Sequence, residues 1–184
     1  MTVTVTEGAI VLELDAARCL KWDDHPAFAQ GVKRLGHTKA VDVCAEVDGE
    51  GAVFIELKDF RAARAENAER LESGALAREV AHKVRDSLAG LVWACDRGFA
   101  DGFDERMVRA FLQKPKAFVV LWLEEDRTSD VTVLQSAIRS ALKPHIESKV
   151  VVTSTLLEKQ SETPLPWLRA SGLQSSRIAQ RIRR

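Results

Sequence analysis

The chain has 184 residues, 46% of them hydrophobic, and its 27 basic and 27 acidic side chains cancel to a formal charge of zero. That suffices for a domain with a true core, and it excludes proteins that hold nucleic acid through overall basicity, so any phosphate-binding surface must come from local segregation of charge. The odd, scattered cysteines Cys19, Cys44 and Cys95 argue against a zinc site or a disulfide framework, and neither a membrane-length apolar run nor a signal-peptide form is present, so the expectation is a cytoplasmic protein with no membrane partner.

Thr2 to Leu14 is rich in β-branched residues and predicts one or two strands; Asp15 to Leu35 predicts irregular or short helical structure. Lys39 to Ala45 and Val53 to Phe60 predict two strands joined by Asp48-Gly49-Glu50-Gly51, a hairpin signal. Arg61 to Glu72 is charged and alanine-rich, a helix or a mobile segment. Ala75 to Cys95 is the clearest helix, with Leu76, Val80, Val84, Leu88, Leu91, Val92 and Cys95 on one stripe and Arg78, Glu79, His82, Lys83, Arg85 and Asp86 on the other side. Ala117 to Leu123 predicts a buried strand, Asp130 caps a helix carrying Leu134, Ile138 and Leu142, and Val150 to Leu157 predicts a further strand, which together make a βαβ unit. The fold class is therefore α/β, a mixed central sheet flanked by helices.

The hairpin carries the chemistry. Glu56 and Lys58 are two residues apart in an otherwise apolar strand, so they share one face, and Asp42 is the only charge in the partner run. Charges buried in a sheet need a compensating cation, ion pair or hydrogen bond. A three-residue loop Gly49-Glu50-Gly51, with Gly51 left-handed, pairs Asp48 with Ala52, sets Cys44 opposite Glu56 and Asp42 opposite Lys58, and makes Asp42 and Glu56 diagonal neighbours roughly 7 Å apart. A loop of two or four residues would turn Asp42 to the other face.

Asp, a hairpin, Glu-x-Lys, an amphipathic helix and a further strand resemble the PD-(D/E)xK, or restriction-endonuclease-like, nuclease superfamily over roughly residues 35 to 125. The resemblance implies that Asp42, Glu56 and the Leu57 carbonyl are ligands of Mg²⁺ or Mn²⁺, and that Lys58 is a catalytic base or an electrostatic stabiliser. It implies that Glu79 and Lys83 border the site, Lys83 toward nucleic acid. A third acidic ligand could come from Asp23, Asp24, Glu7 or Glu13. Val41 stands where the family has proline, and there is no Tyr for the Gln-x-x-x-Tyr motif of some exonuclease branches.

After Glu162 the chain has no acid, while Arg169, Arg177, Arg181, Arg183 and Arg184 accumulate. The chain thus divides into a domain over 1–160 and a basic extension over 161–184, in which Trp167 and Leu168 dock on the body and Arg177, Arg181, Arg183 and Arg184 are candidates for gripping phosphates. The expected function is hydrolysis of phosphodiester bonds in nucleic acid, DNA first. The competing readings are a non-catalytic accessory module of a bacterial defence or repair complex that keeps the fold, and an unrelated α/β fold in which Glu56 and Lys58 are purely structural. The expected assembly is a homodimer or a larger protein complex.

Overall fold

In the computed structural model, which describes residues 1–61, 63–97, 103–125, 130–160 and 165–173, the strands form two sheets. The larger has the order β3 (Arg18–Lys21), β4 (Val43–Val47), β5 (Gly51–Asp59), β6 (Ala117–Glu124), β7 (Ser148–Thr153). Neighbours from β3 to β5 are antiparallel, and β5, β6 and β7 are parallel. The smaller sheet pairs β1 (Thr2–Glu7) with β2 (Ile10–Asp15), and β2 with β8 (Leu168–Leu173), all antiparallel. The mixed α/β class is as the sequence indicates; the second sheet adds a layer beyond it.

Alternation along the central strands explains why both faces are covered. Cys44, Phe54, Val119, Leu121, Val150 and Val152 face a core shared with the helices, whereas Val43, Ala45, Val53, Ile55, Phe118, Val120 and Trp122 face a core closed by Leu12, Leu14, Trp167 and Leu168 of the smaller sheet. Every residue of β6 is buried. Trp167 and Leu168 dock as expected, and Trp167 meets the edge of the Phe118 ring at 5.4 Å between centroids.

The helical layer consists of α1 (Pro26–Gln30), α2 (Arg64–Glu72), α3 (Ala75–Arg97), α4 (Phe103–Gln113), α5 (Val131–Leu142) and α6 (Thr155–Gln160), with a 3₁₀ turn at Val32–Leu35. The long helix buries Leu76, Ala77, Val80, Ala81, Val84, Leu91 and Ala94, whereas Val92, expected on the buried stripe, is 51% exposed. Asp130 caps α5 by accepting from the Thr132 and Val133 amides. Three expectations are corrected. Asp15 to Leu35 contains a regular strand, β3, and the helix α4 has no counterpart in the sequence reading. The run Val150 to Leu157 ends as a strand at Thr153, because buried Glu124 accepts from the Thr155 amide and hydroxyl and from Trp122 Nε1, which turns the chain into α6.

Close packing of α1 on α3 depends on Gly31. A Cβ there would lie 2.4 Å from the Trp93 ring and 2.7 Å from the Ala27 carbonyl oxygen. Gly31→Ala is therefore expected to destabilise the fold by roughly 1–3 kcal/mol through overpacking, read as a lower urea midpoint; an unchanged midpoint would show that the two helices are not in tight contact.

Candidate metal centre

The hairpin register decides whether Asp42 and Glu56 meet. Strands β4 and β5 pair Val47 with Gly51, Glu46 with Ala52, Cys44 with Phe54 and Val43 with Ile55. The loop has the expected three residues, but they are Asp48, Gly49 and Glu50. Gly51, with φ of 90°, is the first residue of β5. This frame moves the register by two residues: Cys44 faces Phe54 rather than Glu56, and Asp42, one step beyond the last ladder pair, lies across from Glu56 rather than Lys58. A two-residue shift preserves the face, so Asp42 and Glu56 stay on the same side of the sheet.

Helix α3 holds the approach to Asp42. The Val41 amide donates to Ser87 Oγ at 2.9 Å and the Lys39 amide to Asp86 Oδ2 at 3.1 Å. The backbone before Asp42 is thereby drawn to the helix, and β4 pairing stops at Val43. Opposite the break, the Leu57 amide donates to Asp42 Oδ2 at 2.6 Å. A strand residue's N–H and C=O point to the same side, so the Leu57 carbonyl also faces the Asp42 side, where the Val41 amide that would have bonded it is held by Ser87. Asp86 and Ser87 are buried, and the polar side of α3 is thus no simple solvated face. Sequence reasoning missed these two residues; their only signal is polar side chains flanking an apolar stripe.

Glu56 is 0% exposed. Its Oε1 receives two ammonium groups, Lys58 Nζ and Lys83 Nζ, each at 2.6 Å. Its Oε2 is buried and has no hydrogen-bond donor. Lys83 Nζ also lies 3.7 Å from Asp42 Oδ1, and Lys58 Nζ lies 3.4 Å from Glu79, which in turn pairs with Arg70 at 2.6 Å. Glu79 and Lys83 therefore border the site, one turn apart on α3. Burial, reinforced by the Asp42 charge and opposed by the two lysines, pushes the Glu56 carboxyl up to about 7. Burial likewise raises Asp42 against the pull of Lys83 and the Leu57 amide. Burial works against the Lys58 ammonium, but the charge and hydrogen bond of Glu56 outweigh it and hold Lys58 above its ordinary value.

The other candidate acids divide by position. Glu7 and Asp24 each pair with Lys21 at 2.9 Å. Glu13 alternates with buried Leu12 and Leu14 and so lies on the outer face of the smaller sheet. Asp23 is nearer: its Oδ1 is buried without a donor, and its carboxyl is raised by burial, with Asp42 among the charges acting on it. Among the described residues, no group of three or more His, Cys, Asp or Glu side chains is placed to hold a metal. The oxygens that the resemblance assigns to a cation, those of Asp42, Glu56 and the Leu57 carbonyl, are of the hard type that Mg²⁺ takes. Arg177, Arg181, Arg183 and Arg184 lie outside the described residues.

No protein-family model, curated protein or solved structure matches the chain.

The raised Glu56 carboxyl gives a pH test. Its folded value of about 7 exceeds the ordinary 4.5, so its contribution to stability is fully present below about pH 4.5 and is lost as pH rises through 7, roughly 3 kcal/mol in all. The stability difference between wild type and Glu56→Gln, from urea unfolding in chelator at pH 4.5 and 8, is expected to move by that order in favour of the variant at the higher pH. A difference that does not change with pH would mean that Glu56 stays ionised between its lysines.

Proposed function

We propose that the chain is a metal-dependent nuclease of the PD-(D/E)xK type, hydrolysing phosphodiester bonds of nucleic acid, with DNA as the expected substrate. The observation that carries this reading is the buried Glu56 Oε2, which has no donor and stands on the same face as Asp42 and Lys58. A buried carboxylate oxygen left without a partner costs about 1–3 kcal/mol or more, a cost that a bound cation at that oxygen removes. A divalent ion held by Asp42, Glu56 and the Leu57 carbonyl would supply Lewis acidity toward the phosphate and lower the pKa of a water.

The remaining roles follow from charge. Lys58 is held protonated by Glu56 and Glu79, which suits stabilisation of negative charge developing on the phosphate rather than removal of a proton from water. The Lys58 side chain is 19% exposed, whereas Glu56 is sealed. Lys83 occupies Glu56 Oε1 and neutralises the acids when no cation is bound. On this reading Lys83 is the residue that would pass from Glu56 to a substrate phosphate when a cation binds. Arg70 holds Glu79, and Glu79 steadies Lys58. The second reading, a non-catalytic accessory module, is favoured by the same network, because two ammonium groups already neutralise Glu56 Oε1.

Melting curves and cleavage assays separate the two. Mg²⁺ or Mn²⁺ at a hundredfold excess over its dissociation constant is expected to stabilise the wild type by about 2.7 kcal/mol, and Glu56→Gln should abolish that rise. Lys58→Ala should keep the rise and lose cleavage of DNA by about 10²-fold or more. A wild type with neither a metal-induced rise nor cleavage of single- or double-stranded substrates would make the accessory module the correct reading.

A further inference from the structure

A second polar site lies at the far end of the sheet, around the start of the edge strand β7. Lys116, Arg139, Lys143, Ile146, Glu147, Ser148 and Lys149 line an open groove of about 590 Å³. Four of these seven side chains are cationic and one is acidic. Glu147 pairs with Lys116 at 3.2 Å, and Lys149 Nζ stacks 4.4 Å above the Phe118 ring while reaching Glu50 at 3.5 Å. Arg139 in the last turn of α5 and Lys143 at its C-cap have no carboxylate within 4 Å among the described residues, so two full positive charges face the groove uncompensated.

Basic residues at the C-terminal end of a helix complement its dipole, and that would account for Arg139 and Lys143. It does not account for Ser148. Ser148 is 8% exposed, and its Oγ is buried with no hydrogen-bond partner. A buried hydroxyl that bonds to nothing is costly, and Ser148 is among the residues that line the groove in which the unpaired cations stand. Guanidinium and ammonium groups only donate, whereas the serine hydroxyl can donate or accept, so a group that serves all three is an anionic acceptor. We propose that this groove binds a phosphate group, with the Ser148 hydroxyl, Arg139 and Lys143 as its donors. A phosphate has enough acceptor oxygens for several such donors at once, and arginine matches its geometry bidentately.

The groove is separate from the acidic centre. In the parallel ladders Ser148 pairs with Ala117 while Glu56 pairs with Leu121, four residues further along β6, which is about 13 Å on strand geometry. Its anion site therefore stands whether or not the acidic centre cleaves anything.

The test uses the full chain in chelator, so that the acidic centre holds no metal. Inorganic phosphate is titrated at constant ionic strength, with chloride as the control, and amide NMR shifts at residues 146–149 are followed. Saturable shifts with phosphate and none with chloride are expected, and Arg139→Ala combined with Lys143→Ala should weaken binding by at least about tenfold. Ser148→Ala should weaken it several-fold without lowering the melting temperature of the phosphate-free protein, since it removes an unsatisfied hydroxyl. A short oligodeoxynucleotide that competes with phosphate would identify a phosphodiester backbone as the source, and one that does not would identify a free phosphate or phosphate monoester. Equal responses to phosphate and chloride, or phosphate binding undiminished in the double variant, would overturn the proposal.

Discussion

The rest of the molecule is arranged around one carboxylate buried in the middle of a sheet. Glu56 sits on β5, between β4 and β6, with helix α3 packed over its face. An isolated charge in that position would cost far more than the net stability of a domain. Lys58 from the same strand and Lys83 from α3 offset this, and Glu79 and Arg70 extend the compensation to α2. The position of α3 is therefore fixed by charge as well as by Leu76, Val80, Val84 and Leu91. The same helix supplies Asp86 and Ser87 to the backbone before Asp42, so the element that neutralises one acid also positions the other.

Much of this was legible because side-chain parity in strands is robust. The hairpin frame was displaced by one residue and the register by two, yet Asp42, Glu56 and Lys58 remained on one face, since only an odd register shift inverts it. What could not be read was the reason that β4 stops at Val43. That depends on contacts between Val41 and Ser87, 46 residues apart in sequence, and no local pattern encodes such a pairing. Strand β3 was hidden for a related reason. Its residues Arg18–Lys21 are all half-buried, so their sequence shows neither a clean alternation nor a continuous apolar run. The strand reading of Val150 to Leu157 failed at Thr155, where propensity was overruled by a buried glutamate on a neighbouring strand.

Charge neutrality of the chain conceals strong segregation. The acids Asp42, Glu56 and Glu79 converge at one side of the helical layer with Lys58, Lys83 and Arg70, and this group is balanced within itself. The groove by β7 carries four cations and one acid. A formal charge of zero thus excludes a uniformly basic surface but does not exclude a local phosphate site, because screening confines each charge to its own neighbourhood of about 10 Å in ordinary salt.

A balanced ion cluster and a cation site differ in a way that can be seen at single atoms. In a closed structural cluster, each buried carboxylate oxygen has a donor, since an oxygen without one adds cost and no benefit. Here Glu56 Oε1 has two donors and Oε2 has none, although both belong to one rigid carboxylate. Rotation of the carboxylate could share the two ammonium groups between the oxygens, unless the positions of the lysines were set by other partners. They are: Lys58 is drawn toward Glu79 and Lys83 toward Asp42. The unfilled oxygen is thus imposed by the surrounding charges, and a proton, a hydrogen-bond donor or a cation can fill it. Asp42 Oδ2 is satisfied by the Leu57 amide, and Asp42 Oδ1 has Lys83 Nζ at 3.7 Å. The difference between this cluster and a closed buried salt bridge thus rests on one atom, Glu56 Oε2, and it is that atom which the proposed cation would serve.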